Sequence, residues 1–267
     1  VDLYVPDARW NDESQAHIGL TNPTRSVLTA TLTGFGADGA ELGSVEVTLN
    51  RYSRQEQGSA AMFGESVAWV KITGDNSLNG YVRYDQGGKM SITGLSPGPG
   101  SEVFNPWIQT TEQGFSPTTV IANATPSTGG AQIHPILLSG DDTAAKLFPA
   151  DNVPNFGTPY QQTELDYSFY QAAGRTTLWD AVTATGSTGL IGMQHLTGET
   201  GSGCAAVTLP RTPQYELAFP ALQPIGDKGY WNKLVLINTF PTTLPFLLEG
   251  YFGYNITQTQ SLSLEPY

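Results

Sequence analysis

The chain has 267 residues and a formal net charge of −12, from 24 acidic and 12 basic side chains. This charge disfavours a nucleic-acid backbone or an anionic membrane surface as a partner, and the lack of any apolar run of 18 residues predicts no membrane span. Charged residues make up 13% of the chain and apolar residues 39%, which excludes a disordered protein.

Glycine and proline are spread along the sequence and separate short stretches rich in Thr, Ser, Val, Tyr and Phe. This composition is typical of many short strands joined by turns and predicts an all-β fold. Cys204 is the single cysteine, so it is expected to lie in a strand as a small apolar residue. A low cysteine content fits the cytoplasm and also bacterial secretion, so it does not decide the compartment.

The first hundred residues predict a series of strands. A short apolar strand closed by proline opens at residues 2–6, and the phrase AHIGLTNPTRS surrounds Asn22. Apolar and polar residues then alternate on both sides of Asp38-Gly39, which predicts a hairpin with its turn at this dipeptide. The Asn22 side chain is expected to bind the backbone where its strand turns.

The rest of this first series carries two further markers. Residues 58–64 are expected to form one short helical turn, and a strand with Trp69 then leads through a turn into a strand with Gly80. A final strand is expected at residues 89–97. Because internal repeats decide the architecture, any recurrence of these markers further along the chain bears on the fold.

The same markers return in order in the second hundred residues. A proline-ended strand is expected at residues 102–106, PTTVIANATPST surrounds Asn123, and a strand with Trp179 precedes one with Gly192. Residues 168–174 match the earlier helical turn, and residues 204–210 match the final strand. The Pro-, Asn- and Gly-rich stretch 147–167 indicates an inserted loop rather than a strand pair.

A third series begins with the proline-ended strand 216–220 and the phrase KLVLINT around Asn238. A stretch resembling the hairpin after Asn22 follows, and the chain stops before a Trp-bearing strand. The predicted division is therefore a first β-sandwich module at 1–99, a second at 100–212 with its inserted loop, and a partial third module at 213–267.

No arrangement of residues in the sequence indicates a reaction. The three histidines stand apart without metal-ligand spacing, so a structural role is expected for each: His17, His134 and His195. A serine-hydrolase G-x-S-x-G elbow is missing. The expectation is a protein that is not an enzyme and needs no cofactor.

Calcium is the one metal for which candidate ligands exist, because loop carboxylates and amides can bind it. The candidates are Asp75, Asn76, Asp141 and Asp142. Turns favour Asp and Asn in any case, so a purely structural role in turns is the alternative. Surface aromatic residues could likewise bind sugars by stacking, or could belong to the core: Trp10, Trp107, Trp231, Tyr251, Phe252 and Tyr254.

These patterns resemble the immunoglobulin-like or fibronectin-like β-sandwich repeats of bacterial secreted and surface proteins. The resemblance rests on the proline-ended strands, on GLTNP, VIANA and VLINT, and on SLNGYVRY and GLIGMQHL. It implies tandem antiparallel β-sandwich modules that act as spacers, adhesins, fibre subunits or carbohydrate-binding accessories. A removed secretion signal, or a trimmed start, would explain why the first residue is Val1.

A half module would leave strand edges and an apolar face uncovered. More chain beyond Tyr267, packing onto the second module, or another molecule could cover it. The residues expected to mediate assembly are Leu234, Val235, Leu236, Phe246, Leu247 and Leu248.

The expected function is a non-catalytic structural or adhesive repeat protein, secreted or at the cell surface, that assembles as a homo-oligomer or with a surface protein. Carbohydrate binding through surface aromatic residues is the alternative, with a glycan as partner.

Overall fold

The computed structural model of the chain describes residues 1–11, 14–86, 88–109, 115–138, 146–147, 151–165, 177–198, 204–208, 242–252 and 255–264. The first eight strands and one short helix are β1 Asp2–Val5, β2 Gln15–Thr21, β3 Leu28–Gly36, β4 Glu41–Leu49, β5 Arg54–Gly58, α1 Ser59–Phe63, β6 Val67–Gly74, β7 Asn79–Gln86 and β8 Lys89–Gly94. We call these eight strands the first strand group.

The second strand group consists of β9 Glu102–Gln109, β10 Phe115–Asn123, β11 Gly129–Leu138, β12 Lys146–Leu147, β13 Asp151–Phe156, β14 Gln162–Leu165, β15 Thr177–Gly186, β16 Leu190–Gly198 and β17 Cys204–Thr208. A C-terminal hairpin follows, with β18 Leu244–Phe252 and β19 Asn255–Leu264. The strands form several antiparallel sheets, which confirms the all-β prediction. Within these described residues, no helix is long and apolar enough to cross a membrane.

The first strand group forms two four-stranded sheets. Sheet A has the order β1-β6-β3-β4 and sheet B has the order β5-β2-β7-β8. Both sheets contribute to one hydrophobic core, in which Leu32 and Ile72 of sheet A lie with Leu20 and Val82 of sheet B. The core exists because each strand alternates side chains between its two faces.

Strand β3 shows this alternation and the turn that was expected after it. Leu28, Ala30 and Leu32 are buried while the intervening threonines face outward. The predicted turn is confirmed, because the N–H of Gly36 donates to Ala40 O at 2.8 Å and β4 pairs antiparallel with β3. Gly39 takes a φ of +88° in this turn, a conformation that a residue with a Cβ adopts rarely.

The second strand group repeats the strand order of the first. Sheet C has the order β14-β10-β16-β17, and sheet D has the order β12-β11-β15-β9 with β13 also paired to β11. Strands β9, β15 and β11 therefore correspond to β1, β6 and β3, and sheet C corresponds strand by strand to sheet B. The recurrence of markers in the sequence reflects this recurrence of pairing.

The recurring asparagines perform the structural role that was expected. Asn22 Nδ2 donates to Ser26 O at 2.7 Å, and its Oδ1 accepts the N–H of Thr24 at 2.9 Å. Asn123 is fully buried, and its Nδ2 donates to the carbonyl of Ser127 at 2.6 Å. In both strand groups the asparagine closes the bend after the second strand. Asn238 lies outside the described residues.

The interpretation of residues 147–167 as an inserted loop is wrong over two segments. Strand β13 pairs with β11, and β14 pairs with β10. Pro154 is skipped where the register of β13 shifts, so its missing N–H costs no ladder hydrogen bond. Proline does not end β9 as expected either, because the strand continues past Pro106 through a shift in its pairing with β15.

The expected short helical turn at residues 58–64 is confirmed by α1, and residues 168–174 lie outside the described part of the chain. The expected final strands correspond to β8 and β17, and the second of these begins at Cys204.

The C-terminal hairpin copies the pairing of β3 with β4. Leu244 lies opposite Leu264 as Leu28 lies opposite Leu49. The register of β18 shifts between Gly250 and Tyr251, and that of β3 shifts at the equivalent step between Gly34 and Phe35. This hairpin therefore has the local structure of the first hairpin in the chain.

Candidate functional site

The strongest candidate site is the junction, where one end of the first strand group packs on the outer face of sheet C. Phe35 and Trp69 stack with their ring centroids 4.2 Å apart, and Tyr160 lies 4.9 Å from Phe35. The indole N–H of Trp69 donates to the carbonyl oxygen of Tyr160 at 2.8 Å. These rings are held by β3, by β6 and by the segment before β14.

Gln162 of β14 closes the polar gap beside these rings. Its side-chain nitrogen donates to Pro6 O at 2.7 Å and to Ala68 O at 3.0 Å. Its backbone N–H donates to Ala37 O at 3.0 Å. Buried carbonyl groups need hydrogen-bond donors, and the Gln162 side chain supplies one for both Pro6 O and Ala68 O. Sheet C can therefore cover these two carbonyl groups of the first strand group.

A buried ionic cluster lies at the other side of the junction. The Asp7 carboxylate accepts from Arg9 Nε at 2.9 Å and lies 2.9 Å from His195 Nε2. The side chains of Asp7 and His195 are each 5% exposed. Burial alone would raise the pKa of Asp7, but the hydrogen bonds and charges of His195 and Arg9 outweigh it and hold this pKa well below its usual range.

Arg9 carries the cluster to the rim of the junction, where its guanidinium lies 3.2 Å from the Glu164 carboxylate. Burial would lower the pKa of Arg9, but its hydrogen bonds to Asp7 and Glu164 and their charges raise it further above its usual value. Arg9 therefore stays charged and balances Asp7 where little water is present.

Tyr84 connects the ionic cluster with the core of the first strand group. Its hydroxyl donates to the backbone carbonyl of Asp7 at 2.5 Å and lies 2.8 Å from the sulfur of Met193. Its ring lies perpendicular to that of His195, with the ring centroids 4.6 Å apart. Burial, reinforced by the charge of Asp7, raises the pKa of Tyr84 well above its usual value, so the hydroxyl keeps its proton as a donor.

The turn at Gly39 fits against the segment before β14. A Cβ at Gly39 would fall on the carbonyl oxygen of Pro159, so only glycine allows this approach. The hydroxyl of Thr158 donates to Asp38 O at 2.6 Å. The junction is thus closed at three places, by the aromatic rings, by the ionic cluster and by this turn.

Burial from both sides distinguishes sheet C from sheet B. Every residue of β16 from Leu190 to Leu196 is buried, whereas β7 buries only Val82 and Tyr84 and leaves its other residues half-exposed or exposed. Met193 belongs to the core of the first strand group, and Gln194 on the opposite face bonds Thr119 at 3.4 Å. Sheet C thereby takes part in two cores.

The junction was not predicted from the sequence, and His195 was expected to have only a structural or incidental role. The signal was the almost continuous apolar run GLIGMQHL, which contrasts with the alternating pattern of SLNGYVRY. A strand that is buried on both faces shows such a run. His17 and His134 lie in β2 and β11, and His17 Nε2 is 3.2 Å from Asp85.

The candidate calcium ligands divide between described and undescribed residues. Asp75 accepts the N–H of Ser77 at 2.8 Å, and Asn76 accepts the N-terminal ammonium at 3.3 Å. Asp141 and Asp142 lie outside the described residues. Across the described ranges, no group of three His, Cys, Asp or Glu side chains is placed to hold a metal ion. Calcium binding stays a prediction.

The expected assembly residues divide in the same way. Leu234, Val235 and Leu236 lie outside the described residues, while Phe246, Leu247 and Leu248 lie in β18. Phe246 faces Leu262 across the hairpin, and Leu247 is 55% exposed on the opposite face.

Of the expected aromatic platform, the Trp10 ring lies 5.1 Å from His17 and covers Gly58. Trp107 lies in β9, and Tyr251 and Phe252 lie in β18. Trp231 and Tyr254 lie outside the described residues. Carbohydrate binding through these residues stays a prediction.

In comparisons with known proteins, the chain matches no described protein family, no curated protein and no solved structure.

Proposed function

We propose that the chain is a non-catalytic structural or adhesive repeat protein, secreted or displayed at the cell surface. Each strand group would be one β-sandwich module, and the C-terminal hairpin would belong to a third. The shared core of sheets A and B and the repeated strand order support this division into modules. A repeat array of this kind builds length from units that contact their neighbours.

The observation that carries this proposal is the sealed junction. Asp7 and His195 are almost fully buried and bond each other, which leaves this pair no space for a substrate. The same contacts fix the two strand groups in one arrangement, because aromatic stacking, ion pairing and the Gln162 hydrogen bonds act together. A fixed arrangement of modules suits a protein that transmits force or spaces a binding surface.

Assembly through the C-terminal hairpin is the second part of the proposal. Leu244 and Leu262 are 38% and 36% exposed, while the equivalent position to Leu244 in the first hairpin, Leu28, is 8% exposed. Among the described strands, β18 pairs with β19 alone, whereas β3 pairs with β4 and β6. We propose that another molecule of this protein covers this face and edge by adding strands.

The solution mass of the chain over a concentration series tests the assembly proposal. We expect the unaltered chain to grow into oligomers and Leu262→Lys to shift the midpoint at least tenfold towards higher concentration, because a buried lysine loses its hydration. Val27→Lys is the matched control, since Val27 lies directly before β3 and is 53% exposed, and it should leave the midpoint unchanged. A constant monomer mass for the unaltered chain would contradict assembly.

A further inference from the structure

Two tyrosines, Tyr52 and Tyr160, share a left-handed backbone conformation, with φ of 49° and 62°. Each tyrosine directly precedes a residue that binds one of the repeated asparagines. Ser53, after Tyr52, accepts the N–H of Asn22 at 2.9 Å, and Gln161, after Tyr160, accepts the N–H of Asn123 at 2.9 Å. Such a backbone is uncommon for residues other than glycine. Tyr160 packs in the junction, yet Tyr52 is 65% exposed.

The equivalence of the two tyrosines continues across the outer faces of sheets B and C. Sheet C uses its outer face to cover the first strand group. The strand registers give the counterparts on sheet B as Arg54 for Gln162, Glu56 for Glu164, Tyr81 for Met193, and Arg83 for His195. Sheet B therefore has a counterpart at each of these positions, with the carboxylate of Glu164 retained as Glu56, and Tyr52 lies at its edge as Tyr160 lies at the edge of sheet C.

The charges on the outer face of sheet B also match the end that sheet C covers. In the junction, Asp7 binds His195 and Arg9 binds Glu164. At the counterparts of these two partners, sheet B carries Arg83 and Glu56, which lie 3.0 Å from each other, and Arg83 also pairs with Asp85 at 2.5 Å. If a similar end docked on sheet B, its carboxylate in the place of Asp7 would face the guanidinium of Arg83. Its guanidinium in the place of Arg9 would face the carboxylate of Glu56.

The outer face of sheet B differs from that of sheet C in polarity. Tyr81 lies over Gly19, under the guanidinium of Arg54 at 5.5 Å, and its hydroxyl donates to Glu56. Polar side chains let a surface remain in water when it is uncovered, as surfaces of separable partners do. The apolar Met193 on sheet C instead suits permanent burial.

We propose that Tyr52 and the outer face of sheet B form a docking surface for the Trp-bearing end of another repeat unit. That end would present rings in the places of Phe35 and Trp69, and an acidic and a basic side chain in the places of Asp7 and Arg9. Within this chain the corresponding end of the first strand group is already covered by sheet C, so the occupant is a further unit. This inference rests on the proposed function, because it treats each strand group as a repeat unit.

A chain extended by a second copy of residues 1–100 ahead of Val1 tests the docking surface. In this fusion Val1 follows the added copy just as Ser101 follows residue 100 in the parent chain. The added unit is therefore connected to the receiving unit as the first strand group is connected to the second. We expect amide exchange in β5 and β7 of the receiving unit to slow at least tenfold relative to the parent chain. Arg83→Glu in the receiving unit should restore the parent rates, because it places a carboxylate against Asp7 of the added unit.

Lys71→Glu in the receiving unit is the control, because it reverses the same charge on sheet A, which is not part of the proposed docking surface. It should leave the slowed exchange unchanged. Parent exchange rates in the extended chain would overturn the proposal, and so would equal effects of Arg83→Glu and Lys71→Glu. An added copy that stays unfolded by circular dichroism would overturn it as well, because docking would cover the exposed end of that copy.

The extended chain also separates this inference from the proposed function. The junction between the added unit and sheet B is new, while the junction between the first strand group and sheet C is present in the parent chain. Loss of the new junction alone counts against the docking surface. Fast exchange in β16 of the parent chain would count against the fixed arrangement on which the proposed function depends.

Discussion

At the scale of single residues, Asp7 connects the members of the ionic cluster in the junction. Its carboxylate is the common acceptor for Arg9 and His195, and its carbonyl accepts the hydroxyl of Tyr84. Removing the charge would leave two donors without their partner in a place that excludes water. Such a loss costs more than the pair itself contributes, because the guanidinium of Arg9 keeps its charge in a half-buried position without the carboxylate that balances it.

We expect Asp7→Asn to lower the free energy of unfolding by about 3 kcal/mol at pH 7, measured by urea denaturation. Asp2→Asn is the control, since Asp2 pairs with Lys71 at 3.0 Å on the surface, and it should cost about 1 kcal/mol or less. Because the folded pKa of Asp7 lies below the unfolded value, its contribution is present above about pH 4 and declines as pH falls further. Asp7→Asn should therefore lose less stability than the unaltered chain on acidification, and equal losses would contradict this role.

At the scale of strands, β7 and β16 show how one pattern serves two environments. They occupy the same place in sheets B and C, and Tyr81 corresponds to Met193. Tyr81 lies on a half-exposed face, while Met193 is fully buried. The contribution of the side chain at this position to the free energy of unfolding should therefore depend on its burial and not on its place in the sheet.

We expect Met193→Ala to lower the free energy of unfolding by about 3 kcal/mol, because it leaves a cavity between two cores. Tyr81→Ala should cost about 1 kcal/mol, since its ring is bounded by solvent on one side. Thermal or urea denaturation of both variants measures the difference. Similar costs would show that the outer face of sheet C is not buried as described.

Local patterns in the sequence were sufficient to predict several strands but not all. The alternation of Leu28, Ala30 and Leu32 with threonines, and the Asp38-Gly39 turn, specify β3 and β4 through neighbours in the chain. Strand β13 contains Pro154 and few apolar residues, and it forms because the existing edge of β11 supplies hydrogen bonds. Such pairing depends on tertiary context, which propensity does not contain.

At the scale of the whole molecule, the recurrence of markers predicted recurrent pairing but gave no information on the junction. Asp7 and His195 are far apart in the sequence, and no spacing rule connects them. Sheet C carries Gln162, Met193 and His195 where sheet B carries Arg54, Tyr81 and Arg83, and in sheet C the first and last of these bond the first strand group. Only the comparison of equivalent positions in three dimensions identifies this difference.

The junction predicts that the two strand groups unfold together. We expect calorimetry to show one transition for both, with equal calorimetric and van't Hoff enthalpies. Gln162→Ala should separate the groups into two transitions, because it leaves Pro6 O and Ala68 O without their donor. Thr163→Ala, at the next residue of β14, is the control and should keep one transition. Two transitions in the unaltered chain would contradict a coupled junction.

The bend closed by Asn123 has a consequence for production of the protein in eukaryotic cells. Asn123-Ala124-Thr125 matches the acceptor sequence for N-linked glycans. In the folded chain, however, Asn123 is fully buried, its Nδ2 is bonded to Ser127, and its Oδ1 accepts the Thr125 hydroxyl at 2.7 Å. A glycan could be attached only before β10 folds, and a chain that received one could no longer close this bend.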